Sequence, residues 1–466
     1  MTGSTLTADT LLRQQSAPDP RDLELLRGSR SDAQITEEIM GRVLKPPVWL
    51  GRAMLVTGAG SGLLVAAVVY TVLTGIGTWG NNIPVAWGFA ITNFVWWIGI
   101  GHAGTFISAF LLLLEQKWRA SINRLAEAMT LFALVQAGLF PLLHMGRAWF
   151  FYWLVPYPST LHVWPQFRSS LTWDVVAVST YLLVSVLFFW LGLMPDLATF
   201  RDHAPERWRR RLYGLAALGF YGSTKNWRNY RVAYALLAGL ATPLVISVHS
   251  IVSMDFAIGI LPGWHSSLFP PYFVAGAIFS GFAMVVTLLV PLRRLYRLER
   301  VITPAHLDKM GKLLLVTSLI VSYAYATETY CAWLDGDRFE RRMHLFVRPF
   351  GDLAPLFWLQ IACNCLLPQA LWFRRVRSQA AVLLAVSLCI QVGMWTERFV
   401  LIVSSQSRDF LSSSFGNFRP SPVDGAILLG SISFFCFLFL LFLRCVPFLP
   451  ISEIKSLGRE LQGRAA

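Results

Sequence analysis

The sequence predicts an all-α integral membrane protein with about ten transmembrane helices, and three observations lead to this fold class. Of 466 residues, 55% are hydrophobic and only 14% are charged, so a water-soluble fold could not cover its surface with polar side chains. The apolar residues form runs of about 20 or more, the length that an α-helix needs to cross a hydrocarbon layer of about 30 Å. No run alternates with the two-residue period of a transmembrane barrel strand.

The predicted elements begin with a polar arm, residues 1–46, which lacks the apolar core of a signal peptide. The second half of the arm is predicted to form a short amphipathic helix on the membrane surface, which ends before Pro46 and Pro47. A transmembrane domain follows over residues 47–450, and residues 451–466 form a cytoplasmic tail. The spans lie near residues 48–77, 87–114, 124–150, 171–195, 230–254, 271–296, 311–334, 354–373, 380–404 and 424–448.

The distribution of basic residues predicts the orientation of the spans. With the amino terminus inside, most of the 40 Lys and Arg residues flank the spans on the inner side, so both termini are expected in the cytoplasm. The net charge of +14 then reflects topology and contact with anionic lipids rather than nucleic-acid binding. The exception is DGDRFERRMHLFVRP, after the seventh span, which is either a plain surface loop or a docking patch for an extracytoplasmic partner.

The cysteine and histidine patterns predict no bound metal, haem or iron–sulfur cluster. The six cysteines are scattered and form no CxxC, CxxCH or iron–sulfur ligand run. The chain also has no glycine-rich phosphate loop and no HExxH motif. One alternative stays open, because two single histidines on facing helices are able to ligate a haem without any sequence motif.

Ionisable residues inside the spans are the candidate functional groups, because each costs at least ~2.5 kcal/mol at the centre of a bilayer. With the predicted orientation and a rise of ~1.5 Å per residue, nearly all of them fall in the outer leaflet. They are His144, Arg147, Asp174, His249, Asp255, Glu328, Glu397 and Arg398, with His102 nearer the midplane. This placement predicts one polar cavity near the outer face, roofed by the aromatic segments YWLVPYPSTLHVWP and GILPGWHSSLFPPYF.

Several of these residues also have plain structural interpretations. Arg147 and Asp174 are alternatively helix caps, and Asp255 is alternatively an interfacial loop residue. Glu397 and Arg398 are alternatively a buried structural pair. The convergence of the set therefore carries more weight than any one member.

Quinol oxidation is the chemistry that such a cavity suits best. A quinone head is a flat ring with polar edges on a lipid tail, so it enters from the bilayer, packs on aromatic rings and hydrogen-bonds a histidine or a carboxylate. Its oxidation releases two electrons and two protons, and the protons need bases that titrate near neutral pH. Because the chain is predicted to hold no redox centre, the electrons must pass to an extrinsic partner on the outer side. Menaquinol and ubiquinol fit this interpretation equally.

A family resemblance sharpens this hypothesis. The segment NFVWWIGIGHAGTFISAFLLLLEQKWRASINRLAEAMTLFALVQAGLFPLLHMGRAW, with TWD, SMDFA and TERF, resembles the NrfD/polysulfide-reductase membrane subunits, most closely the quinol-binding membrane subunit of alternative complex III. The resemblance implies a bacterial cytoplasmic-membrane protein with two four-helix bundles, spans two to five and six to nine, flanked by spans one and ten. It implies quinol-pocket roles for His144, Asp174, Asp255 and Arg398, and a polar track that contains His102. For His102, structural pairing and proton relay both stay open.

The same resemblance implies the partners. They are an extrinsic periplasmic iron–sulfur subunit, multihaem cytochrome c subunits, a paralogous NrfD-like membrane subunit and a terminal oxidase. A quinone-interacting subunit of a polysulfide-reductase-like complex, and the paralogous membrane subunit itself, are alternatives within the family. A transporter and a non-catalytic scaffold are alternatives outside it, although transporters usually bind substrate at the midplane between broken helices.

Overall fold

The structure is a computed structural model that describes residues 25–26, 28, 31–154, 169–334 and 336–465, and the regular structure in these ranges is helical. Ten of the helices there are long and apolar enough to cross a membrane, which confirms the predicted fold class. In chain order the spans are Val48–Thr74, Phe89–Leu113, Asn123–His144, Ser170–His203, Thr224–Ala257, Phe269–Leu295, Pro304–Leu334, Ala354–Trp372, Ala380–Ser407 and Pro422–Cys445.

The fourth and fifth spans are longer than hydropathy predicts. Each has 34 residues and is therefore about 50 Å long at ~1.5 Å per residue, well beyond the ~30 Å of the hydrocarbon layer. The fourth continues to His203 and the fifth begins at Thr224, so both project from the predicted cytoplasmic face. The predicted limits near 195 and 230 mark only the apolar part of each helix.

The spans pack as two four-helix bundles, as the resemblance implies. In the first bundle the second span packs on the third, the third on the fourth, and the fourth on the fifth, which returns to the second. In the second bundle the sixth span packs on the seventh and ninth, and the eighth packs on the ninth and seventh. The sixth span also contacts the second and fifth spans, and this contact joins the bundles.

The first and tenth spans flank the first bundle and pack on each other. Small residues bring the two helices close together, since a Cβ atom at Gly430 would lie only 2.7 Å from Cβ of Leu64. The opposite face of the first span leaves large side chains such as Leu55 and Val56 exposed, as expected for contact with lipid.

The predicted surface helix of the amino-terminal arm is formed over Asp32–Leu44, but it packs on protein. Ser31 and Gln34 form a capping box at its start, and its apolar residues Ile35 and Ile39 are buried. The helix contacts the tenth span and the carboxy-terminal helix Ile451–Ala465. The chain itself therefore covers the apolar face of this helix, and the expected position on the membrane surface stays a prediction. Residues 1–24 of the arm lie outside the described residues.

Candidate functional site

A cavity of about 500 Å³ lies among the predicted outer ends of the second, third, fourth and fifth spans. His144, Asp174 and Asp255 supply its ionisable groups, and apolar and aromatic side chains such as Phe94 make up most of the remaining wall. A volume of this size is typical of pockets that bind small organic ligands, and an apolar wall with a few polar groups is typical of their lining. We call it the main cavity.

The third span positions His144 as its last residue. Pro141 lies one turn earlier and also lines the main cavity, and Gly146 follows with a positive φ of 77° that turns the chain away from the helix axis. The imidazole ring lies against the ring of Trp79, with centroids 6.2 Å apart and an interplanar angle of 27°. Its Nδ1 atom is buried and has no hydrogen-bond partner among the described residues, so it is available to a ligand.

The other two ionisable groups form a carboxyl pair. Asp174, in the second turn of the fourth span, is buried, and Asp255 lies near the end of the fifth. The two carboxyl groups lie next to each other, and Ser170 lies beside Asp255. Two adjacent carboxyl groups of this kind are able to share one proton and to accept a second.

Aromatic residues from two loops cover the main cavity, and one side of it is open. Trp87, which lines the cavity, lies against Trp264 with ring centroids 5.6 Å apart. Trp264 belongs to the predicted roof segment GILPGWHSSLFPPYF, whereas residues 155–165 of the other roof segment lie outside the described residues. Leu171 and Phe151 line the cavity and are about half exposed, which leaves an opening on their side.

Arg398 does not line the main cavity, so the structure does not place it as the resemblance implies. Its guanidinium lies 4.0 Å above the ring of Phe273 and donates a hydrogen bond of 3.1 Å to Glu397. Gly276 on the sixth span makes room for it, since a Cβ atom there would lie 2.9 Å from Nη2 of Arg398. The sequence predicts only the depth of Arg398 and Glu397, and depth does not say which face of a helix a side chain occupies.

The other predicted outer residues do not form one secondary pocket with His249. Glu397 and Glu328 line a separate cavity of about 50 Å³ in the second bundle, too small for a quinone ring. Arg348 donates a 3.0 Å hydrogen bond to Glu328 there. Arg147 is exposed after the end of the third span. The single polar pocket expected for these residues is therefore wrong, because their helices belong to different bundles.

His102 and His249 form a buried pair deeper in the first bundle. Their ring centroids are 4.6 Å apart, and Nδ1 of His102 is 2.5 Å from the carbonyl oxygen of Ile98 in the preceding turn. Tyr181 donates to the carbonyl of Gly101 beside them. Both ring nitrogens of His249 lack partners among the described residues. The pair lies in the bundle interior, as predicted for His102, and its function stays a prediction.

A buried ionic cluster at the opposite end of the first bundle was missed from the sequence. Arg124 donates to Asp196 at 3.2 Å and to the carbonyl of Gly192 at 2.7 Å, and Tyr234 donates to Glu127 at 3.0 Å. The cluster contradicts the expectation that nearly all buried ionisable groups fall in the outer leaflet. Its charged residues lie at the predicted ends of the third and fourth spans, where charged side chains normally reach water. The fourth span in fact continues to His203, so Asp196 lies within the helix and faces the interior of the bundle.

These features define a class of protein: a multi-pass membrane protein with a largely apolar cavity that carries three ionisable groups at one end of a helical bundle. The described residues contain no group of three or more His, Cys, Asp or Glu side chains that could hold a metal ion. Residues 77–408 match the family described as polysulphide reductase, NrfD, and the chain belongs to this family.

Two curated relatives are similar over most of their length. A Halobacterium salinarum protein, provisionally named as a membrane subunit of dimethyl sulfoxide reductase, is 25% identical over 424 residues, which cover 86% of this chain and 91% of that protein. A selenate reductase subunit of Mesobacillus selenatarsenatis is 22% identical over 379 residues, which cover 78% of this chain and 86% of that protein.

Proposed function

We propose that the chain is the quinone-interacting membrane subunit of a multi-subunit oxidoreductase, which exchanges electrons between a lipid-soluble quinol and an extrinsic redox subunit. The observation that carries the proposal is the main cavity, where the unpaired Nδ1 of His144 and the adjacent carboxyl groups of Asp174 and Asp255 meet apolar walls. Family membership and the names of the two relatives, both of them subunits of reductases, support it.

In this proposal the quinol ring packs between the aromatic walls with its lipid tail toward the opening at Leu171 and Phe151. His144 accepts a hydrogen bond from one quinol hydroxyl, and the carboxyl pair binds the oxygen at the other edge. On oxidation His144 takes one proton and the ionised member of the carboxyl pair takes the other, while two electrons pass to the extrinsic partner. Menaquinol and ubiquinol both satisfy these contacts, and quinone reduction would use the same groups in reverse.

Two kinds of complex are candidates for this protein. The names of the relatives favour a reductase assembly, in which an iron–sulfur subunit passes electrons from quinol to a catalytic subunit. The motifs PLLHMGR and SMDFA favour the quinol-binding membrane subunit of alternative complex III, with multihaem cytochrome partners and a terminal oxidase. Identification of the proteins that co-purify with the chain separates the two.

Transmembrane proton conduction is a second candidate function. The buried histidine pair and the missed ionic cluster of Arg124, Glu127 and Asp196 extend polar groups from the main cavity to the opposite end of the same bundle. Proton uptake by the complex in sealed vesicles during quinol oxidation tests this function. If all the protons appear on the side of the main cavity with only two per quinol, conduction is contradicted.

Substitution in the purified complex tests the quinol site. His144→Ala and Asp174→Asn should each lower kcat/KM for a short-tailed quinol by about 10²-fold or more, while the partner subunits still co-purify. His203→Ala and Asp202→Asn are matched controls, because both residues are exposed at the other end of the fourth span. Unchanged quinol oxidation in the first two variants would favour a scaffold or a transporter.

A further inference from the structure

We propose that the second bundle carries, at its predicted outer end, a basic docking pocket for an acidic segment of an extrinsic protein partner. The pocket has a volume of about 550 Å³ and is lined by Arg342, Arg408 and Arg419, with Asp352 as its single acidic residue. We call it the basic pocket. The inference rests on the proposed function for the existence of an extrinsic partner, but its charge and shape stand independently of the quinol site.

The basic pocket is preorganised around Arg408. This side chain donates to the carbonyls of Ser407 at 2.8 Å and Gly416 at 2.9 Å, and it pairs with the exposed carboxylate of Asp352. These bonds fix Arg408 at the rim without desolvating it fully, and they show that a carboxylate fits this position. A second cavity of about 490 Å³ shares Arg408 and Arg419, so the pocket continues as a groove that can take several residues of an extended chain.

The other two arginines supply charge that the described residues do not neutralise. The guanidinium of Arg342 lies 5.6 Å from the ring centroid of Phe415, and that of Arg408 lies 5.4 Å from the same centroid. Both cations therefore contact one aromatic ring. Arg342 and Arg419 are exposed and have no carboxylate partner among the described residues. With three arginines and one aspartate, the lining has a net charge of +2, which suits clustered carboxylates.

The position of the basic pocket favours a protein over a lipid. Its charged residues come from the segments between the seventh and eighth spans and between the ninth and tenth spans, beyond the helix ends. They lie on the predicted outer side, where Lys and Arg residues are few, whereas most basic flanks lie on the predicted cytoplasmic side, where they contact anionic lipids. Arginines that depart from the positive-inside rule therefore need another function, and docking supplies one.

The basic pocket is physically continuous with the covering of the main cavity. Asn82, from the segment between the first and second spans, donates to the carbonyl of Asn417 in the pocket wall at 3.0 Å. Gln406, two residues before Arg408, accepts a 2.9 Å hydrogen bond from the backbone N–H of Trp87, which lines the main cavity. A partner held at the basic pocket would thus rest on the same cap that covers the proposed quinol site.

Peptide binding tests the basic pocket directly. The full chain is placed in nanodiscs of neutral phosphatidylcholine, and binding of a fluorescein-labelled oligoglutamate peptide is followed by anisotropy. The double variant Arg342→Gln with Arg419→Gln should raise Kd by about tenfold, and added salt should weaken binding to the unsubstituted chain. Arg338→Gln with Arg341→Gln is the matched control, since it removes the same charge from the segment that carries Arg342 but outside the pocket lining, and it should change Kd less than about twofold.

Three outcomes overturn the inference: no peptide binding, equal losses in both double variants, or displacement of the peptide by phosphatidylglycerol nanodiscs together with arginine-dependent retention of that lipid in native mass spectra. The last outcome would assign a lipid headgroup site. If the double variant unfolds, Arg419→Gln alone keeps the test valid. Binding of a quinol analogue should be unchanged in all these variants, so a failure of docking is distinguishable from a failure of the proposed function.

Discussion

At the residue scale, sequence reasoning gave the correct neighbours for three of the main site residues and failed for the fourth. His144, Asp174 and Asp255 each lie at a span end on the outer side, and their helices are adjacent in the chain, so their meeting follows from orientation and short connections. Arg398 is predicted at a similar depth, but it lies on the ninth span and faces Phe273. Neighbouring residues on a helix point about 100° apart, and nothing in one sequence specifies which helix they face.

The pair of Glu397 and Arg398 yields a prediction about stability. Both side chains are buried, and the guanidinium is the partner that the structure gives to the carboxylate. Removing Arg398 alone leaves a buried, unpaired charge, so Arg398→Met should lower the free energy of unfolding by about 3–5 kcal/mol. Glu397→Gln combined with Arg398→Met should be far closer to the unsubstituted protein, because no buried charge remains.

Thermal unfolding of the purified chain in detergent checks this prediction. The double variant should recover most of the loss in Tm of the single variant. Binding of a quinol analogue at the main cavity should stay unchanged in the double variant, because neither residue lines that cavity. Equal losses in the single and double variants would show that packing over Phe273, rather than the charge pair, determines the stability.

At the element scale, the number of spans follows from hydropathy but their ends and contacts do not. Hydropathy detects the part of a helix that contacts lipid, so the polar extensions of the fourth and fifth spans escaped it. The same limit hid Asp196, which lies one residue beyond the predicted end of the fourth span. Which span packs on which depends on small residues at helix crossings, and their partners are known only from the structure.

Gly430 provides a test of one such crossing. A Cβ atom there would lie 2.7–2.8 Å from the backbone and Cβ of Leu64 on the first span, and backbone cannot move aside as a flexible side chain does. Gly430→Ala should therefore force the first and tenth spans apart and cost about 1–3 kcal/mol of stability. Gly425→Ala is the matched control on the same helix, because a Cβ atom at Gly425 meets nothing within 4 Å.

The measurement is again the Tm of the two variants in detergent. Gly425→Ala should be neutral or slightly stabilising, since alanine favours a helix over glycine. Quinol-analogue binding should survive in Gly430→Ala, because these spans lie outside the main cavity. If the two variants share the same Tm, the close approach of these spans does not contribute to stability.

At the scale of the whole molecule, the two-bundle arrangement came from the family resemblance and not from composition or periodicity. Hydropathy predicts ten separate helices. Many different arrangements of these helices would bury their polar groups, so hydropathy does not select one. The structure shows how the bundles are held together at the outer side. Glu340, from the segment after the seventh span, accepts hydrogen bonds of 2.9 and 3.0 Å from the N–H of Gly263, in the loop that joins the fifth span of one bundle to the sixth of the other.

This contact makes stability depend on acid in a defined direction. Burial by itself would raise the pKa of Glu340, but hydrogen bonds from His344 and from the Gly263 N–H outweigh it and hold the pKa below the ordinary value of 4.5. Because the folded pKa is the lower one, the contact stabilises the fold fully above pH 4.5 and is lost as the pH falls through that value toward the folded pKa. Glu340→Gln should remove this part of the acid sensitivity.

Comparison of Tm across pH for the two proteins isolates the contribution of Glu340, since every other carboxyl group is common to both. The difference in Tm between the unsubstituted protein and Glu340→Gln should be constant near neutral pH and shrink once the pH drops below about 4.5, where the carboxyl of the unfolded chain is already protonated. Glu115→Gln is the control, because Glu115 is exposed in the connection between the second and third spans, and its Tm difference should stay small at every pH. If the Tm difference for Glu340→Gln stays constant through the acid range, the packing of this loop contact, and not the charge of its carboxylate, stabilises the fold.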